Sequence, residues 1–508
     1  MVFTCSNYSM GVAMKKATTS SYQVPQYVIA MSVLWIAAII SLFITTLAHG
    51  ESFRVQCPSS TALHPANGSG TGQIKCQEIA GTDGYATMGD GHQIYLFGFG
   101  PLSGLANIQQ GLPGTVPASN FNDPNDPNSA KFEPAAIMNN GVLAANAPAP
   151  MMAIDEDDEY FLTLSNVGMI MRPDLFEQHT VHFHGYPNAS SFFDGVPDAS
   201  VAINIAGSFT YYYTAPDAGT YFWHCHITPP EHLQMGMVGQ LYVRPRQNRV
   251  PAGSDLGAAL YQANLKNTGA NGVNCSDILC TGQTPLPATA AATTGNTGVT
   301  QTAGNKYAYN DGDGSTRYDV EYPIQLMGFD PNFHYVGMTF NPEAFADMKD
   351  KYFLISGRSY PDTINTNVAN TGTGLDGNPV INGPMATLSS DGISRPSQPQ
   401  PTLITLKSGQ RALLRVSDLN VTEFHTLATI GIPMLVIADN ARLLRDMAGN
   451  NMYYQTNSIT LGGGESTDVI LDTTGVPAGT YFLYSTNLDH LSNDAENFGG
   501  MMTEIVVN

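Results

Sequence analysis

The chain has 508 residues, enough for two or three domains that each bury a core. Only 12% of its residues are charged, Gly, Asn, Thr, Ala and Pro abound, and no heptad or long helical period runs through it, which excludes coiled-coil and disordered classes in favour of strands and turns. With 42 acidic against 21 basic residues the formal charge is −21, so nucleic acid and anionic membrane surfaces are excluded as partners, cations and basic partners stay open, and the acidity serves solubility.

Lys15 and Lys16 precede an apolar run over residues 27–48 that contains no charged side chain, as an export signal requires. Ala48 and Gly50 offer a small-x-small cleavage site before Glu51, and the run is also long enough to span a bilayer as an uncleaved anchor. Residues 1–50 therefore read as a signal peptide or membrane anchor, and the protein as exported, periplasmic or extracellular. Residues 51–89, rich in Gly, Ser and Thr, read as a loop-rich extension. Cys5 lies in the leader and Cys225 inside a histidine cluster. In an oxidising compartment the remaining four pair most simply as Cys57 with Cys76 and Cys275 with Cys280, out of three possible connectivities.

Strand-like sequence begins at Gln93 with QIYLFGFG and recurs as YFLTLSNV from Tyr160, TVHFHG from Thr180, SFTYYYTA from Ser208 and QLYVRP from Gln240, separated by turn residues. That spacing predicts an all-β sandwich over 90–246. From 247 to 317 the composition shifts to Gly, Asn, Thr and Ala, with the tract TAAATTGNTG from Thr289, a linker or long insertion. Its acidic turn, Asp311, Asp313, Ser315 and Asp319, has a faintly calcium-loop spacing, but the expected glycine and terminal glutamate are not in place, and ordinary turn chemistry is the preferred reading.

Over 318–508 the first domain is echoed. YPIQLMGFDP from Tyr322 matches QIYLFGFGP from Gln93, and LKSGQRALLRVSDLNV from Leu406 matches IDEDDEYFLTLSNVGM from Ile154. ITLGGGESTDVILDTTGVPAGTYF from Ile459 matches INIAGSFTYYYTAPDAGTYF from Ile203, and HTLATIG from His425 matches HTVHFHG from His179. Two copies of one β-sandwich explain all four pairs.

Six histidines fall in two segments of the first copy, His179-Thr-Val-His182-Phe-His184 and His224-Cys225-His226 followed by Glu231-His232 and Met235-Gly-Met237. Residues two apart on a strand share a face, so His182 and His184 point together and His179 points away; the same parity separates Cys225 from His224 and His226. One site collects His179, Cys225, His232 and Met237, with Met235 as the alternative to Met237. A thiolate, two imidazoles and a thioether select copper in a blue-copper arrangement. The other site collects His182, His184, His224 and His226, four imidazoles suited to further copper ions. Zinc, the main competitor, favours a closed tetrahedral set and explains neither the quartet nor the methionine. His64, His92 and His334 read as ordinary polar residues.

HTVHFHG and GTYFWHCHITPPEHLQMGM from Gly219 resemble the copper-binding motifs of the multicopper oxidase family, which includes laccases, and more distantly those of copper nitrite reductases. The resemblance spans both repeats and implies two cupredoxin-like Greek-key β-sandwich domains. It implies a type 1 copper at His179, Cys225, His232 and Met237, a type 2 ion at His182, and a type 3 pair at His184, His224 and His226. The histidines flanking Cys225 would carry electrons between the sites. Asp194, in FFDGVPD, resembles the family's proton-delivering acid near the oxygen site; Asp194 and Glu231, beside His232, are the candidate catalytic carboxylates. The nitrite reductase pattern fits less well, because that group has an aspartate where His182 stands and lacks a counterpart of His226.

The family's trinuclear cluster takes four histidines from each of two domains, and the second copy departs from this. Ala428 and Ile430 stand where His182 and His184 do, and Tyr484-Ser485-Thr486 replaces His-Cys-His, leaving His425 and His490. Two-domain members form trimers that share the cluster, so a homo-oligomer or a partner subunit would have to complete it. The implied function is a copper-dependent oxidoreductase with oxygen as acceptor. The alternatives are a blue-copper electron carrier and a copper-sequestering protein. The electron donor is not written in the sequence.

Overall fold

The computed structural model describes residues 53–66, 72–186, 190–260, 297–337, 339, 344–366, 370–373, 379–388, 394–397, 400, 402–446 and 449–508. The apolar run over 27–48, Cys5, Cys275 and Cys280, and the start of the Thr-rich tract lie outside the described residues. Among the described residues no helix is long and apolar enough to cross a membrane.

The first sandwich is built from β1 (Ile74–Thr87), β2 (Gln93–Pro101), β3 (Val116–Pro117), β4 (Met152–Asp155), β5 (Glu159–Gly168), β6 (His182–Phe183), β7 (Ser208–Thr214), β8 (Gly219–His224) and β9 (Val238–Arg244). One sheet runs β2-β1-β5-β7, with β3 on β1; the facing sheet runs β4-β9-β8-β6. Period-two burial drives the layering: in β7, Tyr211 and Tyr213 are buried while Thr210, Tyr212 and Thr214 are partly exposed. Those tyrosines meet Phe97, Phe99, Leu162, Leu164, Trp223 and Leu241 in one core.

A short hairpin of β10 (Lys306–Tyr307) and β11 (Arg317–Tyr318) leads to β12 (Val320–Phe329) and β13 (Tyr352–Ile355), and β14 (Asn370–Thr373), β15 (Pro379–Leu388) and β16 (Ser394–Ser397) form a separate ribbon. Next come β17 (Ile404–Leu406), β18 (Arg411–Asp418), β19 (His425–Thr429), β20 (Met434–Asp439), β21 (Arg442–Leu443), β22 (Tyr454–Thr456) and β23 (Ser458–Leu461). The chain closes with β24 (Ser466–Asp472), β25 (Gly479–Ser485) and β26 (Met502–Val507). The second sandwich sets β13-β12-β18-β24-β20-β21, with β22 on β20, against β17-β26-β25-β19-β23.

The repeat is real, and its first strand is shifted. β5 pairs in parallel with β1 and antiparallel with β7, as β18 does with β12 and β24. The counterpart of β12 is therefore β1, and QIYLFGFGP in β2 corresponds to β13. The 51–89 stretch is accordingly not a loop-rich extension: it contributes a 14-residue strand to the middle of a sheet. IKCQEIAGTDGYAT hides this role because its Gly, Asp, Ala and Glu are poor strand formers, while pairing on both sides holds it extended. Cys76 at its start is joined to Cys57 by a disulfide.

The described parts of the 247–317 insertion also pack rather than link. Asn310 donates to the Glu156 carboxylate, Gln247 to Asp311, and Tyr309 reaches Asp468 in the second sandwich. In the acidic turn, Asp311 accepts from the backbone N–H of Asp313, Gly314 and Thr316, and Asp313 pairs with Arg445, which is ordinary turn chemistry. The two sandwiches meet through Phe222, Val238, Met327, Phe329 and Leu354. Beside this apolar seam, Arg415 is fully buried, donates to Glu321 at 3.1 Å and to Thr220 Oγ1 at 3.3 Å, and stacks over Tyr242 at 4.8 Å.

Glu78 in β1 is fully buried, accepting from Ser165 Oγ and the Lys131 N–H at 3.0 Å each. Burial pushes its carboxyl from 4.5 up to about 8. A raised folded-state value means stability that is fully present below 4.5 and lost as pH rises through about 8. From this group, unfolding measured across that window should fall by about 1.4 kcal/mol per pH unit, and Glu78→Gln should flatten the slope.

Candidate metal centres

His179 forms an isolated antiparallel bridge with Ile203, its N–H and carbonyl both used, which turns the ring inward. β1 lies against the ring: a Cβ on Gly81 would sit 2.6 Å from His179 Cδ2, so only glycine lets the strand approach. Cys225 follows β8 directly. Thr228, in the left-handed region at φ 37°, then starts the helix Pro229–Gln234, which carries His232 inward. Met237 closes the loop, its N–H donating to the His232 carbonyl at 2.8 Å and its carbonyl accepting from the Cys225 N–H at 3.1 Å. Both Met235 and Met237 are fully buried, but only Met237 is tied by its backbone to both Cys225 and His232.

The result is a closed cage. Cys225 Sγ lies 3.2 Å from His232 Nδ1 and 3.9 Å from His179 Nδ1, and the Thr180 N–H donates to the sulfur at 3.4 Å. Burial alone would raise the Cys225 thiol, but His232 and His179 outweigh it and hold the sulfur well below its ordinary value, as thiolate. Burial likewise opposes charge on His232, and the Cys225 thiolate overcomes it, pushing the ring up to about 10. Two imidazoles offering Nδ1 to one thiolate, all fully buried, fit copper, and the buried Nε2 atoms of His179 and His232 have no hydrogen-bond partner.

Glu231 lies at the partly exposed start of the helix, where its charge favours protonation of His232, and a second carboxylate faces the same ring. Glu177 Oε2 stands 3.6 Å from His232 Nε2, and that contact lowers the Glu177 carboxyl below its usual range. The sequence signal for Glu177 was its even spacing from His179, which puts both on one face of an extended segment.

On the opposite side, β6 and β8 pair His182 with His224. His182, His184 and His224 bring one ligand atom each within 4.8 Å of one another, and His184 Nε2 lies 3.0 Å from His224 Nε2. Nδ1 of His182 donates to the Asp194 carbonyl at 2.8 Å, with the Asp194 carboxylate at 3.5 Å. Nδ1 of His224 donates to the Cys225 carbonyl at 2.7 Å. Burial pushes His224 down to about 3 and His184 down to about 4, so both rings are neutral and ligand-ready at pH 7. His226 stacks near His224 and edge-on to His182 but stands outside the convergent three. The structure thus brings both the carbonyl and the carboxylate of Asp194 to the His182 ring.

The second sandwich repeats the cage without the cysteine thiol. His425 bridges Leu461 as His179 bridges Ile203, and Ser485 Oγ lies 3.1 Å from His490 Nδ1. Met501, unforeseen from sequence, occupies the place of Met237: it accepts from the Ser485 N–H at 2.9 Å and donates to the His490 carbonyl at 2.8 Å. Asp418 holds His425 Nδ1 at 3.2 Å, and Glu423 faces His490 Nε2 at 3.0 Å. At the positions of the other cluster stand Ala428 and Tyr484, paired across β19 and β25, with Ile430 and Thr486 beside them. These residues do not fit the second half of a trinuclear copper cluster. His64, His92 and His334 bond to Glu159, Asp90 and two backbone carbonyls.

Multicopper oxidase family models match residues 118–247 and 350–506, together more than half of the chain. The multicopper oxidase MCE of Talaromyces pinophilus is 30% identical over 140 residues, 27% of this chain and 22% of that protein. The laccase abr2 of Aspergillus fumigatus is 32% identical over 104 residues, 20% of this chain and 16% of that protein. The chain thus matches less than a quarter of the length of these curated relatives. A blue copper oxidase from Nitrosomonas europaea aligns with a TM-score of 0.49 at 17% identity over 86% of each chain.

Proposed function

The chain belongs to the multicopper oxidase family, and from that premise we propose that it is a copper-dependent oxidoreductase that takes single electrons from a donor at the Cys225 cage and passes them to metal at the imidazole cluster, with oxygen as the final acceptor. Copper bound in the cage supplies the one-electron couple. The observation that carries this reading is adjacency: Cys225 belongs to one donor set and His224, the next residue back, to the other. The His224 ring is hydrogen-bonded to the Cys225 carbonyl, so backbone and hydrogen bond join the two sets.

The chain's own residues divide the remaining work. Cys225, kept as thiolate by His179 and His232, provides the soft donor. His232 presents its Nε2 edge to Glu177, which is 24% exposed, so this is the side on which a donor approaches. The Thr180 N–H steadies the sulfur, and the Asp194 carbonyl fixes the His182 tautomer. The Cys57–Cys76 disulfide supports action in an oxidising, exported compartment.

The test is a redox cycle on the copper-loaded protein. A one-electron donor added without oxygen is expected to bleach the blue absorption, and oxygen to restore it while being consumed in proportion. Bleached protein that stays colourless under oxygen, yet recolours with an oxidised partner protein, would establish the carrier reading instead.

A further inference from the structure

We propose that His182, His184 and His224 form a mononuclear three-imidazole copper site that is complete within one chain, the second sandwich serving as its wall and contributing no metal ligand. The inference rests on the proposed function only in taking copper as the occupant; the geometry below holds for any ion that favours imidazole.

Two of the three rings have their outer nitrogen occupied. Nδ1 of His182 donates to the Asp194 carbonyl and Nδ1 of His224 to the Cys225 carbonyl, at 2.8 and 2.7 Å. Those two rings are thereby fixed in the tautomer with a free lone pair on Nε2, which is how backbone carbonyls orient metal-binding histidines. The three ligand atoms converge within 4.8 Å, and two of the Nε2 atoms face each other at 3.0 Å. Two nitrogens each about 2.0–2.1 Å from a tetrahedral ion would lie roughly 3.3 Å apart, close to the spacing found.

The second sandwich covers this cluster. A cleft of about 340 Å³ is bounded by His184 and Phe222 on one side and by Phe424 and the Gly462–Gly464 turn on the other. Gly464, at φ +89°, has no room for a side chain: a Cβ there would sit 2.7 Å from His184 Nδ1. The turn offers no imidazole, and Ala428 and Tyr484 supply none from β19 and β25. A fourth coordination position opening on this cleft suits a small ligand such as azide, whereas a trinuclear cluster would need a further set of side-chain donors in the same space.

Copper counting, electron paramagnetic resonance and sedimentation on the full chain after copper loading test this. The expected result is about two coppers per chain, both resonance-visible in equal amounts, one blue and one ordinary, in a protein sedimenting as a monomer. His184→Ala and His182→Gln should each lose the ordinary signal and keep the blue one, azide should perturb only the ordinary signal, and His226→Ala should leave the count at about two. About four coppers per chain with a resonance-silent pair, or a second copper found only in an oligomer, would overturn the proposal. So would zinc, or no metal at all, beside an intact blue signal. Loss of the blue signal from the wild-type protein would instead strike the proposed function.

Discussion

Cys225→Ser is expected to abolish the blue absorption and its resonance signature while copper stays bound at His182, His184 and His224. The second sandwich shows why the substitution is tolerated by the fold: Ser485 sits in the equivalent place, fully buried, 3.1 Å from His490 Nδ1. What it lacks is ionisation. Neighbouring imidazoles hold Cys225 as thiolate, whereas a serine hydroxyl remains neutral and hard, and copper loses the soft anionic ligand that selects it. Turnover with a one-electron donor should vanish with the colour, and circular dichroism should be unchanged. Colour that survives the substitution would refute the ligand assignment outright.

Arg415→Ala is expected to be the most destabilising single change on the seam between the sandwiches. The guanidinium is fully buried and answers Glu321 at 3.1 Å and Asp468 at 3.9 Å, the latter itself almost fully buried. Burial would raise the Glu321 carboxyl, but Arg415 and Arg244 outweigh it and hold it below its usual range. Removing one partner of such a set leaves buried carboxylates uncompensated, at a cost of about 3–5 kcal/mol. Denaturant titration should register that loss. Because Arg415 also reaches Thr220 and lies over Tyr242 in the first sandwich, its loss should uncouple the unfolding of the two sandwiches, seen as a broader or split transition than in the wild type. A loss below about 1 kcal/mol, the range of exposed ion pairs, would show that solvent reaches the cluster.

The candidate metal ligands were legible in the sequence because strand parity is a local rule. Alternation assigned His182, His184, His224 and His226 to one face and His179 with Cys225 to another without any knowledge of the fold, and of that quartet His226 stands outside the convergent group. The sandwich architecture followed from apolar alternation in the same way. β1 was not legible, since its extended shape comes from pairing with β2 and β5 and its composition is that of a loop. Glu177 and Met501 were missed for a related reason: each is defined by a partner brought close in space, His232 for one and the Ser485 backbone for the other. The packing of Tyr309, Asn310 and Asp311 onto the sandwiches was equally invisible, because low-complexity flanks mask a short ordered segment.

The retained cage of the second sandwich bears on how the first one works. Sulfur in one and oxygen in the other lie at nearly the same distance from an imidazole Nδ1, 3.2 and 3.1 Å, although the two donors differ in size and charge. In the second cage the Asp418 carboxyl lies 3.2 Å from His425 Nδ1. Backbone hydrogen bonds through Met237 and Met501, not the donor atom, therefore set the spacing of these ligands. A cage whose dimensions are fixed by its scaffold would change little if a bound ion gained or lost an electron, so the nuclear rearrangement accompanying such a transfer would be small.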